Sequence, residues 1–280
     1  MTTGNNKPVI ALVSNIYAKT DNVLNVDFPV TDDAGDVVNV SIEDNPSFVK
    51  LQTQGGSNYR IVVDAHIDHI GWYTVTLKAT DQKGAVAVKT VGISVSDKNT
   101  RSVYVNYGSV TKTAPAPWNN FLGQRTANST LANLKDETNT ATPFSVTMVS
   151  SWSGVSDLGH ITGNNSGVSD GAGPKTIRIS GLDDTKKYNI VFMASQNEGT
   201  NATVEYASGT VKDTLNARYN TNQTANLNGL ASVAGQITVV ATRVSGGTTN
   251  ILNGLVIEEY DPSLVILNPV NMYAETFDKS

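Results

Sequence analysis

Apolar and polar residues alternate in short runs through the first part of the chain: PVIALV, NVLNVDF, VVNVSI, NYRIVV, GWYTVTLKA and AVKTVGISV. A period of two places successive side chains on opposite faces of a strand, so each run predicts a half-buried β-strand. Between them stand DDAGD (Asp32 to Asp36), QGGS (Gln54 to Ser57) and DQKG (Asp81 to Gly84). Each has the Gly or Asp chemistry of a tight turn. Several short strands between regular turn signals predict a β-sandwich.

After SDKNTRS (Ser96 to Ser102), which reads as a linker, a second β-rich block begins. Its predicted strands are VYVNY, FSVTMVSSW, KTIRIS, KYNIVFMASQ, ATVEYA, QITVVATR and NILNGLVIEE. A long polar stretch, Gly108 to Pro143, separates the first two. A loop of that length usually carries function or hidden structure, and ANSTLANL within it is read as a helical turn. The block ends near Tyr260. Residues 261–280 read as a linker or the start of a further domain. No repeat of solenoid length is visible. The expected fold class is all-β, with one sandwich over residues 1–98 and a second over 102–260.

Composition narrows the classes. The chain has 280 residues, only 16% of them charged, a net charge of -5 and no cysteine. Disulfides and cysteine-based metal sites are excluded. No basic stripe marks a nucleic-acid partner. No apolar run is long enough to span a membrane, so no membrane insertion is expected. MTTGNNKPV at the start has no signal-peptide core.

The first block resembles the cadherin-like and dystroglycan-type immunoglobulin-like modules of bacterial surface proteins. The resemblance lies in NNKPV, VTDDAGDVVNVSI and IDHIGWYTVTLKATDQKG, above all at Gly71, Tyr73, Ala79, Asp81 and Gly84. It implies a spacer, in some family members with calcium at the module's ends. The second block resembles the malectin-like, galactose-binding-type jelly rolls of secreted Bacteroidetes-like proteins. VYVNYG, APAPWNN, LKDETNTATPFSVTM, ISGLDDTKKYNIVFMASQ and ILNGLVIEE carry that likeness. It implies carbohydrate binding or a purely architectural role. One departure is SDGAGP, which follows GNNSGV where the family has a longer segment. The tail LNPVNMYAE resembles the entry to a fibronectin type III domain.

The sequence offers residues for four kinds of site. Calcium needs six to eight hard oxygens. Asp32, Asp33 and Asp36 in one turn, with Asp81 and Asp97 closing later strands, are the calcium candidates; Asp136 and Glu137 are a second set. The plain alternative is that aspartate is simply a good turn residue. His66, Asp68 and His69 in AHIDHI do not share one strand face and read as a turn. For catalysis no nucleophile elbow, zinc-binding helix motif or phosphate loop is present. His160 beside Asp157 has no spacing that singles out a triad. The chain is read as no enzyme.

For carbohydrate, an aromatic platform must pair with polar partners. Trp118, Asn119 and Asn120 in TAPAPWNN have that composition, joined by Trp152, Tyr107, Asn164 and Asn165. The competing reading makes Trp118 a plug under the long loop, with the two asparagines tying down backbone. Trp72 is read as core or sheet surface. Asn253 and Gly254 are placed on the final strand, the glycine allowing close backbone approach. The asparagines in N-x-S/T at 39, 128, 164, 201 and 222 read as chance matches in an Asn-rich chain.

The expected role is a non-catalytic fragment of a large secreted or cell-surface bacterial protein, acting in adhesion or surface-fibre extension. Its expected partners are a polysaccharide or cell-surface glycan and neighbouring domains of the same chain. The alternatives are an accessory region of a polysaccharide-degrading enzyme and a structural spacer.

Overall fold

The computed structural model describes residues 5–11, 14–123, 126–156, 167–171, 173–197 and 201–264. The chain divides into two compact units, residues 1–98 and 99–280. Regular structure among the described residues is almost entirely β, with one short 3-10 turn at Ile67–His69.

The first unit holds β1 (Val9–Ile10), β2 (Ile16–Lys19), β3 (Leu24–Thr31), β4 (Val38–Glu43), β5 (Val49–Gly55), β6 (Asn58–Val63), β7 (Gly71–Asp81) and β8 (Val86–Ser96). One sheet runs β1-β3-β6-β5 and the other β2-β8-β7-β4. Alternation in β7 buries Val75, Leu77 and Ala79, while β6 buries Tyr59, Ile61 and Val63 from the facing sheet. These side chains form one core with Phe28, Val30 and Ile93. The sequence pattern missed β2 and β5. IYAK is short, and VKLQTQG is exposed over most of its length because it closes an edge.

The second unit holds β9 (Arg101–Gly108), β10 (Trp118–Leu122), β11 (Ser129–Leu131), β12 (Ser145–Met148), β13 (Gly154–Ser156), β14 (Gly167–Gly171) and β15 (Lys175–Ser180). It continues with β16 (Lys187–Met193), β17 (Ala202–Ser208), β18 (Val211–Asn216), β19 (Ala225–Leu230), β20 (Gln236–Gly246), β21 (Thr249–Leu252) and β22 (Gly254–Tyr260). A five-stranded sheet runs β10-β9-β22-β16-β19, a six-stranded sheet β11-β12-β15-β20-β17-β18, and a small one β13-β14-β21. Their inner faces share one core that includes Trp152, Tyr107, Phe144, Tyr188, and the stacked pair Phe192–Tyr206 at 4.3 Å.

Several expectations change here. ANSTLANL is no helical turn: Ser129–Leu131 pairs antiparallel with β12. The long polar stretch hides a second strand, β10, that lies parallel to β9. NILNGLVIEE is two strands in different sheets, with Asn253 between them. Asn253 Oδ1 accepts from Ser195 N at 2.6 Å, which holds that switch point. The serine, aspartate and first glycine of SDGAGP belong to β14 rather than to a loop. The LNPVNMYAE tail lies outside the described residues.

Candidate functional site

The β3–β4 turn and the β7–β8 turn meet because Val38 pairs with Asp81. Gly84 adopts φ +88, which an L side chain rarely takes, and closes the second turn tightly. Asp81 Oδ1 accepts from Lys83 N and Ala85 N, both at 2.8 Å. Its Oδ2 accepts from Asn5 Nδ2 at 2.8 Å. Burial pushes the Asp81 carboxyl up, but these hydrogen bonds outweigh it and hold the pKa low.

Around Asp81 the acidic turn closes in. One oxygen each from Asp32, Asp36 and Asp81 lies within 4.8 Å of the others. Asp32 Oδ1 accepts from Asp33 N at 2.9 Å, while its Oδ2 is shielded from solvent without a hydrogen-bond partner among the described residues. Asp36, its side chain only 7% exposed, accepts from Lys83 Nζ at 3.0 Å and Gln82 Nε2 at 3.1 Å. That hydrogen bond raises the Lys83 pKa. Oxygens bound to one calcium at ~2.3–2.6 Å can stand at most about 5 Å apart, so the three carboxylates have a spacing that suits a shared cation. An open pocket of about 440 Å³ adjoins them, bordered by Asp33, Gly56, Ser57 and Tyr59.

The remaining acidic candidates stand elsewhere. Asp33 turns to Asn6, accepting from its side chain at 2.8 Å and its backbone at 3.1 Å, and the side-chain bond first of all lowers its pKa. Asp97 follows the far end of β8, whereas Asp81 lies beside the near end. An 11-residue strand separates them, about 35 Å at ~3.3 Å per residue. Asp97 is buried and has its own partners. Asp136 Oδ1 accepts from Thr138 N and Thr140 N, both at 3.0 Å, and Glu137 Oε2 accepts from Ser102 N at 2.7 Å. Asp136 serves its own loop, and Glu137 ties that loop to β9.

His66 and His69 also serve the fold. His66 Nδ1 lies 3.1 Å from Asp21 Oδ1, and Lys98 Nζ donates to Asp21 Oδ2 at 2.8 Å. His69 Nδ1 accepts from His66 N at 3.0 Å, and its ring stacks on Phe48 at 4.3 Å. Asp157, His160, Asn164 and Asn165 lie outside the described residues.

In TAPAPWNN the Ala116–Pro117 bond is cis and delivers the chain into β10. Trp118 sits opposite Tyr104, their rings 5.4 Å apart, and both are buried. Asn120 Oδ1 accepts from Asn106 Nδ2 and Ala114 N, both at 2.8 Å, and its Nδ2 donates to Ala114 O at 2.9 Å. Asn119 exchanges hydrogen bonds with Lys135, N to Oδ1 at 2.8 Å and Nδ2 to O at 2.7 Å, and also donates to Tyr104 O. The asparagines therefore tie the loop to the sheet. Trp152 and Tyr107 are inside the main core, and burial raises the Tyr107 pKa. None of these aromatic side chains is a platform open to solvent. Backbone pairing at an edge and core volume decide their place, and composition shows neither. Trp72, half-buried on β7, fits its sheet-surface reading.

Sequence reasoning missed Lys83, Gln82 and Asn5. Lys83 was visible in DQKG, but only the pairing of β4 with β7 aims it at Asp36.

No family model matches the chain, and no curated protein matches it. Among solved structures it is similar to the SrpA adhesin of Streptococcus sanguinis, with 17% identity, 41% of this chain and 72% of that chain covered, and a TM-score of 0.32. It is similar to the GspB Siglec domain at 15% identity, 40% and 68% coverage and a TM-score of 0.29. An endo-fucoidan hydrolase of glycoside hydrolase family 107 matches at 15% identity, 66% and 28% coverage and a TM-score of 0.31. Likenesses this distant carry no functional argument.

Proposed function

We propose that this chain is a non-catalytic, adhesion-type segment of a larger secreted or cell-surface bacterial protein, and that its first unit takes up calcium at Asp32, Asp36 and Asp81. The observation behind the calcium reading is the meeting of these three carboxylates within 4.8 Å, one of them with a shielded, unpartnered oxygen. Three carboxylates against one ammonium leave net negative charge where solvent screening is reduced. A divalent cation relieves that charge, with water completing its shell. Binding would tie the β3–β4 turn to the end of β7 and stiffen that end of the unit, which suits a module that carries load along a surface chain.

Calorimetric titration of the full chain with calcium tests this reading. The expected result is one site, lost in Asp32→Asn and Asp36→Asn. Absence of heat, together with identical unfolding midpoints in calcium and in chelator, would remove it.

A further inference from the structure

The outer face of the six-stranded sheet in the second unit sets hydroxyl side chains in register on neighbouring strands. Ile177 and Ile179 point into the core, so Arg178 between them points outward. Its Cα stands opposite Thr147 on β12 and Thr238 on β20, and Thr147 stands opposite Thr130 on β11. Four in-register positions thus cross four strands as Thr130, Thr147, Arg178, Thr238. The Thr130 and Thr147 hydroxyls are 2.8 Å apart and hydrogen-bonded. The next row on the same face is Ser145, Ser180, Gln236.

Arg178 is the anomaly in this hydroxyl field. Among the described residues its guanidinium has no ion pair and no hydrogen bond, and its Nε is shielded from solvent without an acceptor. The terminal nitrogens are not shielded in this way, and two N–H donors side by side at the outer end of a guanidinium fit a planar or tetrahedral anion. The carboxylate of this face among the described residues, Glu205 on β17, stands opposite Thr242 and Thr214, away from the Arg178 row, and is engaged by Lys212 at 2.9 Å. The acceptor that Arg178 lacks is therefore not supplied by its own sheet.

We propose that this face binds an acidic polysaccharide, with Arg178 receiving a carboxylate or sulfate group and the exposed Thr130 and Thr238 receiving sugar hydroxyls, while the buried Thr147 holds Thr130 in place. Each threonine hydroxyl donates once and accepts twice, as sugar hydroxyls do, and the strands repeat every ~4.8 Å. Base stacking needs aromatic side chains, and neither row holds one. Nor do these rows present the apolar or aromatic anchor of a protein interface. One cation among hydroxyls suits a polymer with spaced charges, in contrast to the basic stripe that nucleic acid requires. The proposal stands apart from the calcium reading, being in the other unit and needing no metal.

Affinity electrophoresis of the full chain in EDTA tests it, with polygalacturonate, dextran sulfate and neutral dextran as probes. EDTA removes any calcium from the first unit, so failure here is separable from failure there. The chain carries a net charge of -5, so retention by an anionic polymer needs a local site. Retardation by polygalacturonate, dextran sulfate or both, with none by dextran, is the expected result, and the pattern identifies the anion. Arg178→Gln should weaken binding about tenfold, the effect of one charge-assisted pair, with Arg178→Lys between. Lys98→Gln, with the same loss of charge, should bind like the native chain. Should Arg178→Gln fail to fold, Thr238→Val serves in its place and should weaken binding several-fold. No retardation by either anionic polymer, equal retardation by dextran, or native binding by the folded variant would overturn the proposal.

Discussion

Lys83 Nζ donates to Asp36 Oδ2 at 3.0 Å, so an ammonium already leans on one of the three clustered carboxylates. It does so from the same turn whose first residue, Asp81, supplies another. The lysine is an internal competitor for any metal ion at this end of the unit. Lys83→Met should therefore tighten calcium binding by about tenfold, since removing one nearby unit charge is worth about 1 kcal/mol or more in a partly screened site. Calorimetric titration reads the change directly, and weaker binding by the variant would contradict this placement of the lysine.

Calcium should also stabilise the first unit by linkage. At a free concentration a hundredfold above Kd the gain is about 2.7 kcal/mol. Thermal unfolding should show a higher midpoint in calcium than in chelator, with no difference for Asp36→Asn.

Trp118 and Asn120 should behave as structural residues. Trp118→Ala removes a buried indole from against Tyr104 and should cost about 3–5 kcal/mol. Asn120→Ala strands Ala114 N and leaves Asn106 Nδ2 with Lys112 O alone, at about 1–3 kcal/mol. Denaturant unfolding measures both. Native stability in Trp118→Ala would return this residue to the list of surface platforms.

The Asp21–His66–Lys98 group makes a pH-dependent contribution. The hydrogen bond to Asp21 raises the His66 pKa above the ordinary value. The linked stabilisation is therefore fully present below about pH 6.5, the unfolded value, and is lost as pH rises through the folded value. Hydrogen bonds from Lys98 and His66 lower the Asp21 pKa. That contribution is present above the unfolded carboxylate value and is lost as pH falls through the lowered one. Titration of the His66 ring resonances should give a raised midpoint that falls in Asp21→Asn. An unchanged midpoint would show that the contact does not persist in solution.

Gly181 has φ +79, and a Cβ there would run into the Pro143 carbonyl. Gly181→Ala combines left-handed strain with a backbone clash and should lose at least about 2 kcal/mol. Unfolding midpoints test this against Gly171→Ala, where a Cβ meets nothing within 4 Å.

Period-two alternation determined by itself that the chain is β-rich, and where its long strands run. GWYTVTLKA became β7 and KTIRIS became β15 because burying one face of a pleat leaves that imprint on sequence. Short or edge strands such as β2, β10 and β11 leave little imprint, since too few of their side chains face the core. Asp32, Asp36 and Asp81 were readable as turn aspartates. Their convergence came from the register of β4 on β7, which places residues 49 positions apart in sequence side by side, and the opposite end of β8 took Asp97 away. For the tryptophans the pattern held no answer, because an indole beside prolines looks the same facing Tyr104 or facing water. Arg178 was one charge within an alternating strand. Only pairing with Thr147 and Thr238 shows that no carboxylate stands opposite it, because cross-strand neighbours are chosen by the fold and not by the chain.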